Sequence, residues 1–509
     1  MRGIQEAMEK PEPTSGPSEP RSTSAGVAWL TLAKFYFMGT GLVLVLILPT
    51  LFKKYGGDQH VEMYGDFRTV ISLVNWFNMV LIGGTLQAVS KFISEDPTRA
   101  RAVKWTSLKL QTVIGGSLAL LLFVGADTIA ETFYDAPNLA AYLRMAAPIV
   151  LVYAYYAVII GALNGLKRFR HQALMDMSFA TLKVALTLGL VAAGFAIYGA
   201  IAGFLLTSVV LLVVSTAVLG RLQKGPGVAL RTLFAFEWKT LVFAFFLNGV
   251  LQIDIQLLKA KAPLIMGDTS AQTGIYGAMQ QISQIPYVVT IAVAFVVFPL
   301  VSHSTFHKDT QRTRQYVKTT NRYVMLFLAG IVLAVAHEAT GIVDFVYPAE
   351  YLSGAPVLAM LSVAYLFLAG MVLNANILTS SGRPSASMLL FGATLLIAVG
   401  AGLFWIPRLG LYGAALATLT ALAIGFLGAA AMTKRFFGTF VPPLTLLRLL
   451  TAAAVVTSVA WFLWPPGTGL LGVILRGGSL FMLYLAILTV LGELPLKEWK
   501  SLVLLGKRK

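Results

Sequence analysis

The sequence predicts an all-α integral membrane protein: 14 transmembrane helices, arranged as two pseudo-symmetric six-helix lobes plus a C-terminal helix pair. Three observations predict it. The chain is 57% hydrophobic and only 12% charged, where a soluble domain carries about 25% charged residues, and its mean hydropathy is +0.78. The apolar residues gather into 14 runs, each near the ~20 residues that cross a hydrocarbon core. The basic residues between those runs favour alternate loops, the asymmetry that sets orientation in membranes.

Taken in order, residues 1–25 are rich in Pro, Ser, Thr and Glu and hold no apolar run, so they read as a disordered cytoplasmic tail and not as a signal peptide. The spans follow at 28–52, 69–93, 108–130, 145–163, 174–194, 199–219, 240–262, 276–302, 323–346, 355–377, 386–406, 411–432, 444–464 and 471–491. The second and eighth are the most polar, and Pro286 and Pro299 stand where they would kink the eighth. With the N-terminal tail inside, the inner side receives the Arg99–Lys104, Lys167–Arg170, Arg221–Arg231, Lys308–Arg322, Arg383, Lys434–Arg435 and Lys497–Lys509 clusters. The outer side receives Lys53, Lys54, Arg68, Arg144, Arg408 and Arg476, mixed with Asp58, Glu62, Asp66, Asp127, Glu131, Asp135, Asp268, Asp344 and Glu350. The expected orientation places both termini in the cytoplasm.

The organising stretch is the seventh span. Asn248, Gln252, Gln256 and Lys259 recur at helical spacing and form one stripe, while Asp254 and Lys261 share another side. A Lys or Asp at a helix centre costs roughly 2.5–3.5 kcal/mol to insert, so such residues normally face protein or a wet cavity. The stripe therefore reads as the wall of a polar passage. Snorkelling competes with that reading for Lys259 and Lys261, and helix-to-helix packing competes with it for Asp254.

An internal repeat fixes the domain plan. Gly65 opens GDFRTVISLVNWFNMV, and Gly274, 209 positions later, opens GIYGAMQQISQIPYVV. Ala147-Pro148 is matched by Ala355-Pro356, 208 later, and Tyr198-Gly199-Ala200 by Tyr412-Gly413-Ala414, 214 later. The basic turns at Lys167 and Arg383 differ by 216. An even number of spans separates each pair, so the repeats run parallel, related by an axis along the membrane normal. The plan is an N-lobe over 26–219, a cytoplasmic linker over 220–239, a C-lobe over 240–433, and 434–509 holding two extra helices and a basic cytoplasmic tail.

Composition also excludes functions. No cysteine is present, so neither disulfides nor thiolate metal sites are available. The five histidines show no HExxH spacing, and no nucleotide loop or catalytic triad context appears, so the chain is not read as an enzyme and calls for no metal or other cofactor. The net charge of +17 lies in short loops between apolar spans, which points to topology and not to nucleic acid.

GALNGLKRFRHQALMDM after the fourth span, NANILTSSGRPSAS after the tenth and GIYGAMQQISQIP at the eighth resemble the polysaccharide transporter family (O-antigen-type and sporulation-type lipid-linked oligosaccharide flippases) of the multidrug/oligosaccharidyl-lipid/polysaccharide exporter superfamily. The resemblance covers spans one to twelve. It implies a V-shaped pair of six-helix bundles whose helices one, two, seven and eight line a cavity open alternately to each side. It also implies a polyprenyl-pyrophosphate-linked oligosaccharide as cargo, with a C-terminal helix pair offering a groove for the lipid tail. A hydrated anionic head group cannot cross hydrocarbon unaided. The residues suited to it are the cations Lys34, Arg68, Lys259 and Lys261, the amides Asn75, Asn78, Gln252, Gln256, Gln280 and Gln284, and the ring of Trp76 beside Phe77. Asp254 is the candidate for coupling to a proton or sodium gradient, or a counter-ion for a cavity lysine. Lys183, His337 and Glu338 read as structural. Alternatives within transport are a lipid II (peptidoglycan precursor) flippase and a multidrug/cation antiporter. The alternative outside it is a membrane glycan polymerase or ligase, and short outer loops weigh against that. Partners are the lipid-linked glycan, membrane lipids and glycan polymerase or export machinery, and a monomer suffices.

Overall fold

The computed structural model describes residues 19–263, 268–462 and 469–494. Most of the expected N-terminal tail, residues 1–18, and the basic residues Lys497–Lys509 lie outside the described residues.

Among the described residues the chain is helical from end to end: α1 (Glu19–Gly56), α2 (His60–Glu95), α3 (Ala100–Val124), the single turn α4 (Ala126–Thr128), α5 (Leu139–Gly165), α6 (Phe169–Leu190), α7 (Ala196–Leu219), α8 (Leu230–Lys261), α9 (Thr269–Ser283), α10 (Ile285–Phe306), α11 (Thr310–His337), α12 (Ala339–Val346), α13 (Ala355–Ser380), α14 (Pro384–Phe437), α15 (Pro443–Phe462) and α16 (Gly469–Val490). Eleven helical stretches among the described residues are long and apolar enough to cross a membrane. Two of them, Phe169–Leu219 and Pro384–Phe437, run 51 and 54 residues, about twice the ~20 a bilayer needs. Large apolar side chains such as Val113, Leu120, Leu396, Leu427 and Trp461 stand exposed along these helices, a surface suited to hydrocarbon and not to water.

Local chemistry sets the helix ends. The Asp268 side chain accepts from the backbone N–H of Ser270 at 2.6 Å and caps α9. Asp309 caps α11 by accepting from the Arg312 N–H at 2.9 Å. Between the α2 and α3 helices, Asp96 accepts from Thr98, whose hydroxyl holds the carboxyl below its ordinary value. The expected kink in the eighth span occurs: Pro286 has no N–H for the Ile282 carbonyl, and the helix divides into α9 and α10 at Gln284.

The repeat shows in the backbone itself. The two double-length stretches bend at equivalent places, Ala196 (φ 48°, ψ −131°) and Gly410 (φ 53°, ψ −127°), each two residues before its Tyr-Gly-Ala landmark. Just beyond each bend a glycine presses on the preceding helix. A Cβ on Gly199 would stand 2.9 Å from the Leu190 carbonyl, and one on Gly413 2.3 Å from that of Trp405.

Two boundaries differ from expectation. The second span begins at His60 and not near residue 69, because Asp66 and Arg68 are helical and buried. The α8 helix begins at Leu230, so the expected linker 220–239 is non-helical only to Ala229. The C-terminal pair is attached by buried charge: Arg476 on α16 pairs with Glu338 at the end of α11 and donates to the Ala460 carbonyl on α15 at 3.1 Å. Beyond α16, Glu493 takes Arg322 at 2.7 Å, Arg448 at 2.9 Å and Thr445 at 2.8 Å. Burial alone would raise the Glu493 carboxyl, but these donors outweigh it and hold the group below its ordinary value.

Candidate functional site

Helix α2 from the first half and α8 from the second lie antiparallel and in contact along most of their lengths. At one end Gln256 donates to Ser72 Oγ at 2.5 Å and to the Thr69 carbonyl at 3.4 Å, and its own carbonyl accepts from Tyr134. In the middle Trp76 stacks on Phe245 at 5.2 Å, donates to its carbonyl at 3.1 Å, and covers Gly249. Toward the other end Gly83 and Gly84 admit Ala244 and Leu241, and Thr85 reaches Glu237 at 2.7 Å. Small residues on α2 let the two helices approach this closely.

The Asp66 end of this seam is closed by paired charge and backbone. Lys259, 1% exposed, lies 2.9 Å from Asp66 Oδ1 and bonds Ser270 of α9. Ser270 donates to the same oxygen at 2.8 Å, and Asn138 donates to Asp66 Oδ2 at 2.6 Å. Next to this network, the repeat-related glycines meet each other. A Cβ on Gly65 would stand 1.7 Å from the Ser270 carbonyl oxygen and 2.9 Å from the Gly274 nitrogen; one on Gly274 would stand 2.3 Å from the Val61 carbonyl oxygen. Outside the crossing, Lys53 of α1 pairs with Glu350 at 2.7 Å, and His60 approaches the same carboxylate at 3.6 Å.

One turn deeper, Arg68 joins the halves. Its guanidinium donates to Gln280 Oε1 at 3.2 Å, and the Gln281 side-chain amide, turned so that its oxygen faces the guanidinium, accepts from it at 2.8 and 2.9 Å. Gln280 turns its amide nitrogen to Asp254, at 3.1 and 3.0 Å from the two carboxylate oxygens. Asp254 also accepts from Tyr276 at 2.7 Å, Thr418 at 3.2 Å and the Ile255 N–H at 2.8 Å. Gln280 thus bridges a cation and an anion held in opposite halves. On its far side Asp254 borders a small gap between α8 and α14, lined by Leu257, Ala398, Gly402 and Thr418.

Measured against the residues singled out from sequence, the structure divides them. Arg68, Lys259, Asp254, Gln256 and Gln280 come together, but in three adjoining bonded clusters: Lys259 with Asp66, Arg68 through Gln280 to Asp254, and Gln256 with Ser72 and Thr69. In this conformation Lys259 is buried and paired with Asp66 of α2, which sits where a loop was expected. Trp76 is likewise occupied by Phe245. Lys34 is different. It lies on α1, its side chain is 62% exposed, and its counter-ion is Asp176 of α6 at 3.4 Å. Lys261 is exposed at the C-terminal end of α8. Asn75 is half-buried, and Asn78, fully buried on α2, has neither side-chain polar atom partnered among the described residues. Gln252 is half-buried with its carbonyl unpartnered among the described residues, and Gln284 donates to Tyr365 at 3.3 Å. Lys183 sits over the Phe204 ring at 4.1 Å. Sequence reasoning missed three contributors: Asp66, which resembled a loop acid; Asp176; and Glu237, which fell in the stretch read as linker.

Comparisons with known proteins follow the same lines. Residues 61–356, more than half of the chain, match the family described as "Polysaccharide biosynthesis protein". The chain is 24% identical over 427 residues to the "Uncharacterized membrane protein YabM" of Bacillus subtilis (strain 168), covering 78% of each. It is 23% identical over 353 residues to the "Succinoglycan biosynthesis transport protein ExoT" of Rhizobium meliloti (strain 1021), covering 68% of this chain and 66% of that one. Its fold superimposes on a lipid II flippase MurJ in an inward closed conformation, with a TM-score of 0.72 at 16% identity, over 90% of this chain and 98% of the other.

Proposed function

Because the chain belongs to the polysaccharide biosynthesis protein family, we propose that it carries a polyprenyl-pyrophosphate-linked oligosaccharide across the bacterial cytoplasmic membrane by alternating access between two six-helix lobes. In this reading the two double-length stretches each cross twice, α9 and α10 together cross once, and the chain makes 14 crossings with both termini cytoplasmic. The lobes are residues 26–219 and 240–433, joined by the linker 220–239, and 434–509 add the helix pair and tail. A proton or sodium gradient drives the cycle through Asp254, whose carboxylate borders the α8–α14 gap. The working unit is a monomer that receives its lipid-linked cargo from one leaflet and delivers it toward the glycan polymerase or export machinery.

The observation that carries the reading is the division of the cations. Arg68 and Lys259 are bound by the protein's own groups where the halves meet, while Lys34 stays exposed, paired at 3.4 Å with Asp176. A pyrophosphate competes well for an exposed ammonium and poorly for a buried, fully bonded one. Lys34 therefore receives the head group while the Asp66 end is closed. Arg68 and Lys259 become available when that end opens, which moves the favourable sites from one side to the other.

The test is reconstitution into vesicles with a fluorescent polyprenyl-pyrophosphate-linked oligosaccharide. Wild-type protein should transfer the probe between leaflets, Lys34→Ala should lose at least about tenfold in rate, and Asp254→Asn should make the rate indifferent to imposed proton and sodium gradients. Transfer by Lys34→Ala at the wild-type rate would remove the proposed anion site.

A further inference from the structure

At the end of the α2–α8 seam remote from Asp66, Glu237 is completely buried. Its Oε1 accepts from Thr85 Oγ1 of α2 at 2.7 Å and from Gln111 Nε2 of α3 at 2.6 Å. Its Oε2 is buried and has no hydrogen-bond partner among the described residues. The Oε1 of the Gln111 amide that already touches Glu237 is likewise buried and without a partner among the described residues.

Charged groups on the packed helices are engaged elsewhere or exposed. On α2, Lys91 pairs with Glu95 at 2.9 Å and lies over Phe92 and Phe236 at 4.9 and 5.0 Å. On α3, Lys104 lies over Trp105 at 4.9 Å and Lys109 is exposed. Arg231 and Lys239 on α8, and Lys434 and Arg435 on α14, are exposed. None of the ion pairs recorded among the described residues reaches Glu237. A buried carboxylate without a cation, and with one oxygen bare, is a costly arrangement. A proton on Oε2 removes the buried charge, and with it most of that cost.

We propose that Glu237 is a proton-binding site at this end of the seam, separate from Asp254, and that α2 and α8 close on each other here only while the carboxyl carries its proton. When the seam parts, water reaches Oε2, the O–H bond breaks, the proton leaves to that water and the electron pair stays on oxygen. Closure takes a proton back. Each cycle of opening and closing at this end then exchanges one proton with the aqueous phase the opened seam admits. The site extends the alternating-access reading, but its test reads seam closure and not transport, so either idea can fail alone.

The chain has no cysteine, which allows a clean reporter. A Cβ built on Gly83 stands 3.0 Å from the Ala244 Cβ across the seam, close to the ~3.5–4.5 Å of a disulfide. Full-length Gly83→Cys/Ala244→Cys protein in membrane vesicles is oxidised over a range of pH, with and without Glu237→Gln. The shared thiol chemistry cancels in the ratio. The proposal expects the cross-linked fraction of the protein that keeps Glu237, relative to that of the Glu237→Gln variant, to fall by up to about tenfold per pH unit above the titration point. Thr85→Val removes a donor that the ionised form needs most, and should move that fall to higher pH. A flat ratio, a Glu237→Gln variant that fails to cross-link where the protein keeping Glu237 does, or a profile unmoved by Thr85→Val would each overturn it.

Discussion

The crossing of Gly65 and Gly274 offers the sharpest perturbation. In an ordinary helix Gly→Ala is stabilising by up to about 1 kcal/mol. At Gly65 the new Cβ would stand 1.7 Å from the Ser270 carbonyl oxygen and 2.6 Å from its carbon. Carbon and carbonyl oxygen approach to about 3.3 Å at closest, so α2 and α9 must separate by roughly 1.6 Å. Both obstructing atoms are backbone, so no side-chain rotation relieves the clash. Overpacking of this kind costs typically about 1–3 kcal/mol, and the separation also stretches the Ser270–Asp66 bond of 2.8 Å beside it. Each ~1.4 kcal/mol is a factor of ten in an equilibrium, so Gly65→Ala should favour the open Asp66 end about tenfold or more. A single cysteine at Thr69, fully buried one turn along the seam, reads the opening through its labelling rate with a membrane-impermeant maleimide. The rate should rise by about the same factor. Gly116→Ala, with nothing within 4 Å of its Cβ, should leave it unchanged. A Gly65→Ala protein that is folded and labels at the parent rate would refute the reasoning.

Further outcomes follow from the attached helix pair. Glu338→Ala or Arg476→Ala removes one half of a buried ion pair, and should lower stability by about 3–5 kcal/mol; thermal unfolding in detergent measures it, and Glu338→Leu/Arg476→Met together should recover most of the loss. Glu493 is held below the ordinary carboxylate range, so its stabilisation is present above an unfolded value near ~4.3 and disappears as pH falls through the folded value. The stability gap between wild type and Glu493→Gln, followed by the same unfolding measurement, should therefore be full at neutral pH and close below about pH 4.

The sequence made the segments legible and left the directions hidden. Apolar runs, landmark spacing and Pro286 were local signals, and the kink and the matched bends at Ala196 and Gly410 follow them. The polar stripe of α8 was also legible, but a stripe does not say whether it faces water or another helix. Deciding that for Lys259 required knowing that Asp66 is helical, and acids next to an apolar run look like loop residues. Glu237 was hidden for the same reason: it precedes the apolar part of its helix, and its partners Thr85 and Gln111 are distant in sequence. That Gly65 and Gly274 touch each other appears only in three dimensions, although the spacing had already paired them.

In the proposed cycle, cargo passes by separation of the two halves along the α2–α8 seam. Gly83→Cys/Ala244→Cys protein, reconstituted and fully oxidised, tests it directly against the fluorescent lipid-linked oligosaccharide. The account predicts that transfer stops on oxidation and returns when the disulfide is reduced. Transfer at the unoxidised rate through a completely cross-linked seam would contradict it.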